Sequence, residues 1–489
     1  MTSELRLSDA QLFKTQCLVN GQWIDADGGG TISVINPATG ETIGTVPQMG
    51  ALDARRAIEA AAAALPSWRA TLAKERARLL RKWFDLIIAN QDDLALILTT
   101  EQGKPLKESL EEIVSGAAFI QWFSEEARRT YGETIPTAAH DRRFVVIKQP
   151  IGVCAAITPW NFPNTIITRK VAAALAAGCT MVVRPASSTP YSALVLAELA
   201  QRAGIPAGVF NVVTGASREI GGEFTANPLV RKLSFTGSTD VGRQLMAQSA
   251  RTVKKLALEL GGNAPFIVFE DADIDAAVTG ALASKFRNAG QACVGTNRFY
   301  IHASVYDEFA SKLVAKVEAL RVGNGVEPGI TFGPIHDMGG VKKVEAHLAD
   351  ALEKGALLLT GGHRHALGGT YFEPTVIGEA NATMKLAREE TFGPLGALFR
   401  FSDEADLVRT ANDTEFGLAS YLYSRDIARI WRIAEALEFG MVGVNVGLMA
   451  NESVPFGGIK ESGFGREGSK YGIEDYLDVK YICLGGMTA

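Results

Sequence analysis

The chain has few of the features by which specialised proteins first declare themselves. Its five cysteines, Cys17, Cys154, Cys179, Cys293 and Cys483, are scattered, odd in number and never spaced C-x-x-C. A disulfide framework and a cysteine-based zinc site are therefore not expected, and no metal is assigned. Of six histidines, His363 and His365 form an H-x-H, but in a Gly-rich loop without an acidic or thiol partner close in sequence they read as solvated. No apolar run approaches the ~18 residues of a membrane-spanning helix. Met1 to Arg6 lack the basic segment and apolar core of a secretory signal, so a cytoplasmic location is expected. Lys and Arg total 49 against 54 Asp and Glu, a net charge of -5 without a dense basic cluster, which argues against a nucleic-acid partner.

What is present is ordinary globular material, 47% hydrophobic and 21% charged, in a chain of 489 residues, long enough for two or three domains. From Asp53 to about Tyr131 the pattern is helical, Ala-rich and then amphipathic, with a break at Gly103-Lys104-Pro105. This front section reads as scaffold. Between Thr180 and Leu260, short runs of apolar β-formers alternate with helical segments, as in βαβ crossovers around a parallel sheet. Such sheets bind ligands beyond the carboxyl ends of their strands. A second alternating region runs from about Ala264 to Ser453, with helices predicted over Asp273 to Asn288 and Val305 to Leu320. The tail from Tyr476 to Cys483 alternates like an edge strand, which reads as part of a subunit contact.

Cys293 sits in a Gly-flanked loop, where chemistry is commonly carried. A thiol nucleophile acts as its thiolate, so it needs a depressed pKa or a base. Glu259 lies 34 positions upstream at the end of a predicted strand, followed by Gly261-Gly262. On spacing alone this pair is weak evidence, and a buried core thiol and a solvated strand end are its ordinary readings.

The ordered segments Thr158-Pro159-Trp160-Asn161-Phe162-Pro163, Phe235-Thr236-Gly237-Ser238-Thr239, Glu259-Leu260-Gly261-Gly262, Gly290-Gln291-Ala292-Cys293, Glu390-Thr391-Phe392-Gly393-Pro394 and Pro455-Phe456-Gly457-Gly458 resemble the signature set of the NAD(P)-dependent aldehyde dehydrogenase superfamily. Stretches at Ser284 to Gln291 and Gly463 to Tyr476 are similar to its succinate-semialdehyde dehydrogenase branch. The resemblance implies an α/β fold: a Rossmann-type cofactor domain over 1-127 and 149-259, an α/β catalytic domain over 260-460, and a small β oligomerisation extension over 128-148 and 461-489. A homodimer or homotetramer is implied.

It further implies that Cys293 attacks the aldehyde, that Asn161 and the Cys293 N–H stabilise the oxyanion, and that Glu259 activates the hydrolytic water. NADP or NAD is the implied cofactor. Gly237 and Ser238 offer a helix N-terminus to its pyrophosphate, Glu390 grips the nicotinamide ribose, and Phe392 and Trp160 line the cleft. Arg169 and Arg287 would clamp the distal carboxylate of a semialdehyde, a role suited to the guanidinium fork.

Three departures from the family pattern carry expectations of their own. Arg184 stands where Lys usually meets the adenosine ribose, and a planar fork does not replace a compact ammonium contact for contact. Ser187 stands where NAD-preferring relatives often have Glu, which removes repulsion of a 2′-phosphate and favours NADP slightly. Ala450 replaces a branch Ser near the carboxylate, leaving succinate and glutarate semialdehyde both open, and Gly295 replaces a second Cys, so no local disulfide switch is expected. The rival readings are a dehydrogenase for neutral or cationic aldehydes, a non-catalytic relative and a Cys-dependent hydrolase.

Overall fold

A computed structural model describes residues 5–486; the amino-terminal reading at Met1 to Glu4 and the last residues of the tail, 487–489, lie outside the described residues. Four helices, Ala51–Ala70, Ala73–Ala89, Gln91–Gln102 and Leu106–Glu126, form the front section. The predicted break is the left-handed Gly103 (φ 98°), which caps the third helix.

Six strands form one sheet in the order Gly463–Phe464, Lys255–Glu259, Val230–Thr236, Val153–Ile157, Thr180–Arg184, Phe210–Val212. All pairs are parallel except the one made by Gly463–Phe464. The chain starts at Val153–Ile157, winds outward through two strands, then returns to place Val230–Thr236 on the other side of the first strand. Order therefore reverses between Val153–Ile157 and Val230–Thr236, and a crevice opens at the carboxyl ends of strands at such a reversal. Thr158 to Asn161 follow one of these strands, and Gly237-Ser238 follow the other.

The second sheet has seven strands in the order Leu357–Thr360, Thr375–Gly378, Leu395–Phe401, Thr296–His302, Ala264–Val268, Ala419–Tyr423, Met441–Val444, parallel but for the first pair. Here the site residues lie at the amino ends instead. Gly261-Gly262, Cys293 and Glu390 to Pro394 lead into the amino ends of three neighbouring strands, Ala264–Val268, Thr296–His302 and Leu395–Phe401. The site is thus assembled from the carboxyl edge of one sheet and the amino edge of the other.

Two elements differ from the sequence reading. The helix predicted to reach Asn288 ends at Phe286, and a tight turn with left-handed Asn288, Ala289 and Gly290 follows. Helix Thr165–Ala177 gave no amphipathic signal because every one of its residues is buried. The tail strand Leu477–Leu484 pairs antiparallel with Arg143–Pro150, which also pairs with Glu133–Ile135, so the tail is an edge strand with an internal partner. His365 does have an acidic neighbour, Glu373 at 3.7 Å. Among the described residues no helix is long and apolar enough to cross a membrane.

Candidate active site

Where the two sheet edges meet lies a cleft of about 310 Å³. Trp160, Asn161 and Cys293 border it, with Gly237 and Ser238 from the first sheet and Glu390 and Phe392 from the second. The loops touch closely enough to require glycine. A Cβ on Gly262 would lie 2.3 Å from the Cys293 carbonyl oxygen, and one on Gly290 would lie 2.2 Å from that of Gly393.

The nucleophile loop is fixed by a buried polar scaffold that comes largely from the front section. Lys104, with no exposed side-chain surface, donates to Glu112 Oε2 at 2.6 Å and to the Asn161 carbonyl at 2.7 Å. Asn288 Nδ2 donates to the same carbonyl at 3.0 Å, and Gln102 Nε2 donates to Asn288 Oδ1 at 2.9 Å. These contacts hold Asn288 and Ala289 in left-handed conformations that cost non-glycine residues about 1–3 kcal/mol each. Scaffold is too narrow a reading of residues 53–131, because Gln102 bonds Asn288 of the reactive loop and Lys104 bonds the Asn161 carbonyl that Asn288 shares. The sequence held no periodic or motif signal for them.

Asn161 donates its side-chain amide to the Gln291 carbonyl at 3.1 Å, while its Oδ1 has no partner among the described residues. An amide nitrogen carries two N–H groups, so one remains for an incoming oxygen. Burial, then the Glu390 and Glu259 carboxylates, push the Cys293 thiol up to about 12. This setting favours the thiol over the thiolate, which fits activation by a base better than a depressed pKa.

Glu259 ends strand Lys255–Glu259, is 3% exposed, and has an Oε2 without a partner. Burial raises its pKa well above the carboxylate range, and Glu467 raises it further, while Lys170 and Arg169 oppose the shift. Glu467, which the sequence reading missed, accepts from Lys170 Nζ at 2.5 Å and lies 3.9 Å from Arg169 Nη1. Arg169 and Lys170 are adjacent on the wholly buried helix, so both charges are driven inward.

On the cofactor side, Ser238 is the N-cap of helix Thr239–Ser249 and spends no side-chain bond on capping it. Unspent N–H groups at a helix N-terminus suit phosphate. Gly237 N–H donates to the Glu259 carbonyl at 3.0 Å, tying this turn to the acid's strand. Trp160 stacks on His336, with ring centres 4.3 Å apart and planes at 9°, and Phe392 stands edge-on to Trp160 at 5.7 Å. Glu390 Oε1 accepts from Gly262 N–H at 3.1 Å, and burial pushes its pKa up to about 7. The walls, the donors and the carboxylate fit a dinucleotide.

Arg184 and Ser187 do not border this cleft. Arg184 Nη2 donates to Ser187 Oγ at 2.8 Å, to the Gly215 carbonyl at 3.0 Å and to Ser217 Oγ, and burial lowers its pKa to about 10. The other two arginines rest on aromatic faces: Arg169 lies between Phe119 (4.7 Å) and Phe456 (4.3 Å), and Arg287 lies over Phe162 (5.5 Å). The Nε of each is buried without a partner among the described residues. Neither is the surface ion pair that an isolated arginine would suggest.

Comparison with known proteins agrees with the residues. The model of the aldehyde dehydrogenase family matches residues 23–482. Glutarate-semialdehyde dehydrogenase of Pseudomonas aeruginosa is 64% identical over 483 residues, covering 99% of this chain and 100% of its own length. The NADP(+) succinate-semialdehyde dehydrogenase of Escherichia coli is 62% identical over 481 residues, 98% and 100% of the two chains. A crystal structure of an NADP-dependent enzyme from E. coli shares the fold with a TM-score of 0.98 at 61% identity, covering 98% of this chain and 100% of that one. With the family pattern spanning nearly the whole length and the fold shared end to end, the chain belongs to the aldehyde dehydrogenase family.

Proposed function

We propose that this enzyme oxidises a short aldehyde carrying a distal carboxylate, succinate semialdehyde or its homologue glutarate semialdehyde, to the dicarboxylate, with NADP or NAD as acceptor. The carrying observation is that buried Arg169 lies close enough to Cys293 to favour its thiolate and that its Nε, like the Nε of the half-buried Arg287, has no partner among the described residues. A buried donor without a partner costs about 1–3 kcal/mol, and an anionic substrate terminus repays it.

The geometry supports the following roles. Cys293 Sγ bonds to the aldehyde carbon as its proton leaves to a base, and the Asn161 amide and the Cys293 N–H hold the resulting oxyanion, worth about 3 kcal/mol per donor. Trp160, Phe392 and Glu390 would hold a nicotinamide at this cleft, which would supply the hydride acceptor when bound. As the C=O re-forms the adduct loses its hydride, which leaves a thioester on Sγ. Glu259, its pKa raised by burial, takes a proton from water, and the hydroxide expels the Cys293 thiolate. The sum is aldehyde, water and oxidised cofactor giving carboxylate, reduced cofactor and two protons.

NADP is slightly favoured, because Ser187 presents no negative charge to a 2′-phosphate. Residues 1-127 and 149-259 are proposed as the cofactor domain and 260-460 as the catalytic domain. Assembly as a homodimer or homotetramer through 128-148 and 461-489 is supported by Val479 and Tyr481, 71% and 57% exposed on the tail strand. A cytoplasmic location completes the proposal.

A rate panel tests it. Succinate and glutarate semialdehyde should exceed a neutral aldehyde of equal length about 10- to 100-fold in kcat/KM, the worth of one or two charged hydrogen bonds. Arg287→Ala should remove that advantage, and Cys293→Ala should abolish turnover with either cofactor. Equal rates for the neutral aldehyde, or an Arg287→Ala enzyme with an unchanged preference, would overturn the clamp.

A further inference from the structure

Glu390 and Phe392 lie in a segment without regular structure, and Phe392 holds a left-handed conformation (φ 55°). Such a segment keeps its shape only if its surroundings impose it. From one side the buried Asn297 does so: its Nδ2 donates to the Leu386 and Glu389 carbonyls at 2.7 and 3.0 Å, and its Oδ1 accepts from Thr391 N–H at 3.1 Å. Asn263 Nδ2 adds a bond to the Ala387 carbonyl at 3.1 Å. All of these grip the backbone.

The side chains are gripped from the other side by His347. It projects from helix Met338–Glu353, the same helix that brings Gly339, Gly340 and Lys343 to the cleft, and it is 3% exposed. Its Nδ1 lies 3.1 Å from Thr391 Oγ1 and its Nε2 lies 3.2 Å from Glu389 Oε2. Glu389 and Thr391 are the two residues that flank Glu390. A carboxylate can only accept, so Nε2 carries the proton toward Glu389, and Nδ1 accepts from the Thr391 hydroxyl. Burial lowers the pKa of His347, and of the charged groups facing it Glu389 opposes this while Lys343 and Lys385 reinforce it, which keeps the ring neutral and in that tautomer.

We propose that His347 is a positioning residue for dinucleotide binding, clamping Glu389 and Thr391 so that Glu390 and Phe392 are held ready at the cleft. The inference rests on the reading of Glu390 as a ribose contact. It also accounts for a buried histidine with both ring nitrogens engaged. Losing the clamp leaves the fold intact and frees the segment to sample positions in which Glu390 does not meet the cofactor, so the apparent affinity falls by the fraction of competent molecules.

The test compares His347→Phe, which fills the space without polar contacts, with His347→Gln, whose amide can donate to Glu389 and accept from Thr391. Steady-state kinetics should show KM for the dinucleotide rising about five- to tenfold in the Phe variant, with KM for the aldehyde at saturating dinucleotide changed less than twofold. The Gln variant should recover most of the loss. Thr391→Val, which removes one contact at nearly constant volume, should move dinucleotide KM in the same direction and serves if the Phe variant does not fold. Unchanged dinucleotide KM in a folded Phe or Val variant, equal damage in Phe and Gln variants, or a parallel rise in aldehyde KM would overturn the proposal. Glu390→Gln separates the two readings. If it leaves dinucleotide KM unchanged, the ribose contact itself is wrong; if it raises KM while the His347 variants do not, only the positioning role fails.

Discussion

Two sets of buried polar groups lie within a few residues of one another in this molecule, and the chain finishes them differently. Around Lys104 most partners are supplied internally: the ammonium has Glu112 and the Asn161 carbonyl, Gln102 has Asn288, and Gln291 has Asn288 and His336, while the Asn164 side-chain amide beside Glu112 has none among the described residues. Around the thiol, atoms are left over, namely Asn161 Oδ1, Glu259 Oε2 and the Nε of Arg169 and Arg287. A folded chain pays for each orphaned buried polar atom, so a cluster of them marks where something other than the protein completes the bonding. Arg184, buried like Arg169, also has an Nε without a partner among the described residues, but its Nη2 serves three acceptors of its own chain.

The comparison breaks if the orphaned groups prove structural or the satisfied ones prove chemical. The largest effect is expected from Glu259→Gln, which keeps volume and removes the base. Its steady-state rate should fall about 10²- to 10⁴-fold, while a first-turnover burst of reduced cofactor survives because hydrolysis and not hydride loss is blocked. Loss of the burst together with the steady-state rate would assign Glu259 to the attack step instead.

Next comes Lys104→Ala, on the satisfied side. It strands the Glu112 carboxylate in the interior, which costs about 3–5 kcal/mol. The midpoint of urea unfolding should drop markedly, and whatever folded enzyme remains should bind dinucleotide normally. A stable Lys104→Ala enzyme that has lost only turnover would erase the distinction.

The smallest effect is in the pH dependence of stability. Burial raises Glu390 and Glu108 to about 7 and Glu101 to about 8. A carboxyl whose pKa is raised on folding binds more protons in the folded state, so its contribution is complete below the ordinary carboxylate range and is lost as pH climbs through the raised value. The melting temperature of the cofactor-free enzyme should therefore decline between pH 6 and 8.5. Glu390→Gln should blunt that decline by about one or two degrees, and a steeper decline in the variant would contradict the sign.

Much of this was legible in the chain. Cys293, Asn161, Trp160, Gly237, Ser238, Glu390 and Phe392 stand in ordered motifs, and the structure brings all of them to one cleft. Parallel strands announced themselves as apolar runs between helices, and the front helices began within two residues of Asp53 and broke at Gly103 as expected, but ended at Glu126 rather than near Tyr131. The helix Thr165–Ala177 was not legible, since burial on every face removes the period that identifies a helix. The same holds for Glu467, Lys104, Glu112 and His347, whose significance rests on partners 8 to 297 positions away.

By itself, then, the sequence determined the α/β architecture, the family resemblance and the residue types of the reaction, because local periodicity and short motifs are written in neighbouring residues. Only the tertiary structure decided that the site joins the carboxyl edge of one sheet to the amino edge of another. It also decided that burial raises the pKa of the Cys293 thiol, that Arg184 Nη2 is engaged by its own chain, and that Asn161 and Glu259 keep side-chain atoms in the interior without a partner among the described residues. Each of these depends on which groups are desolvated together, and desolvation is a property of contacts between distant segments, which no local stretch of sequence contains.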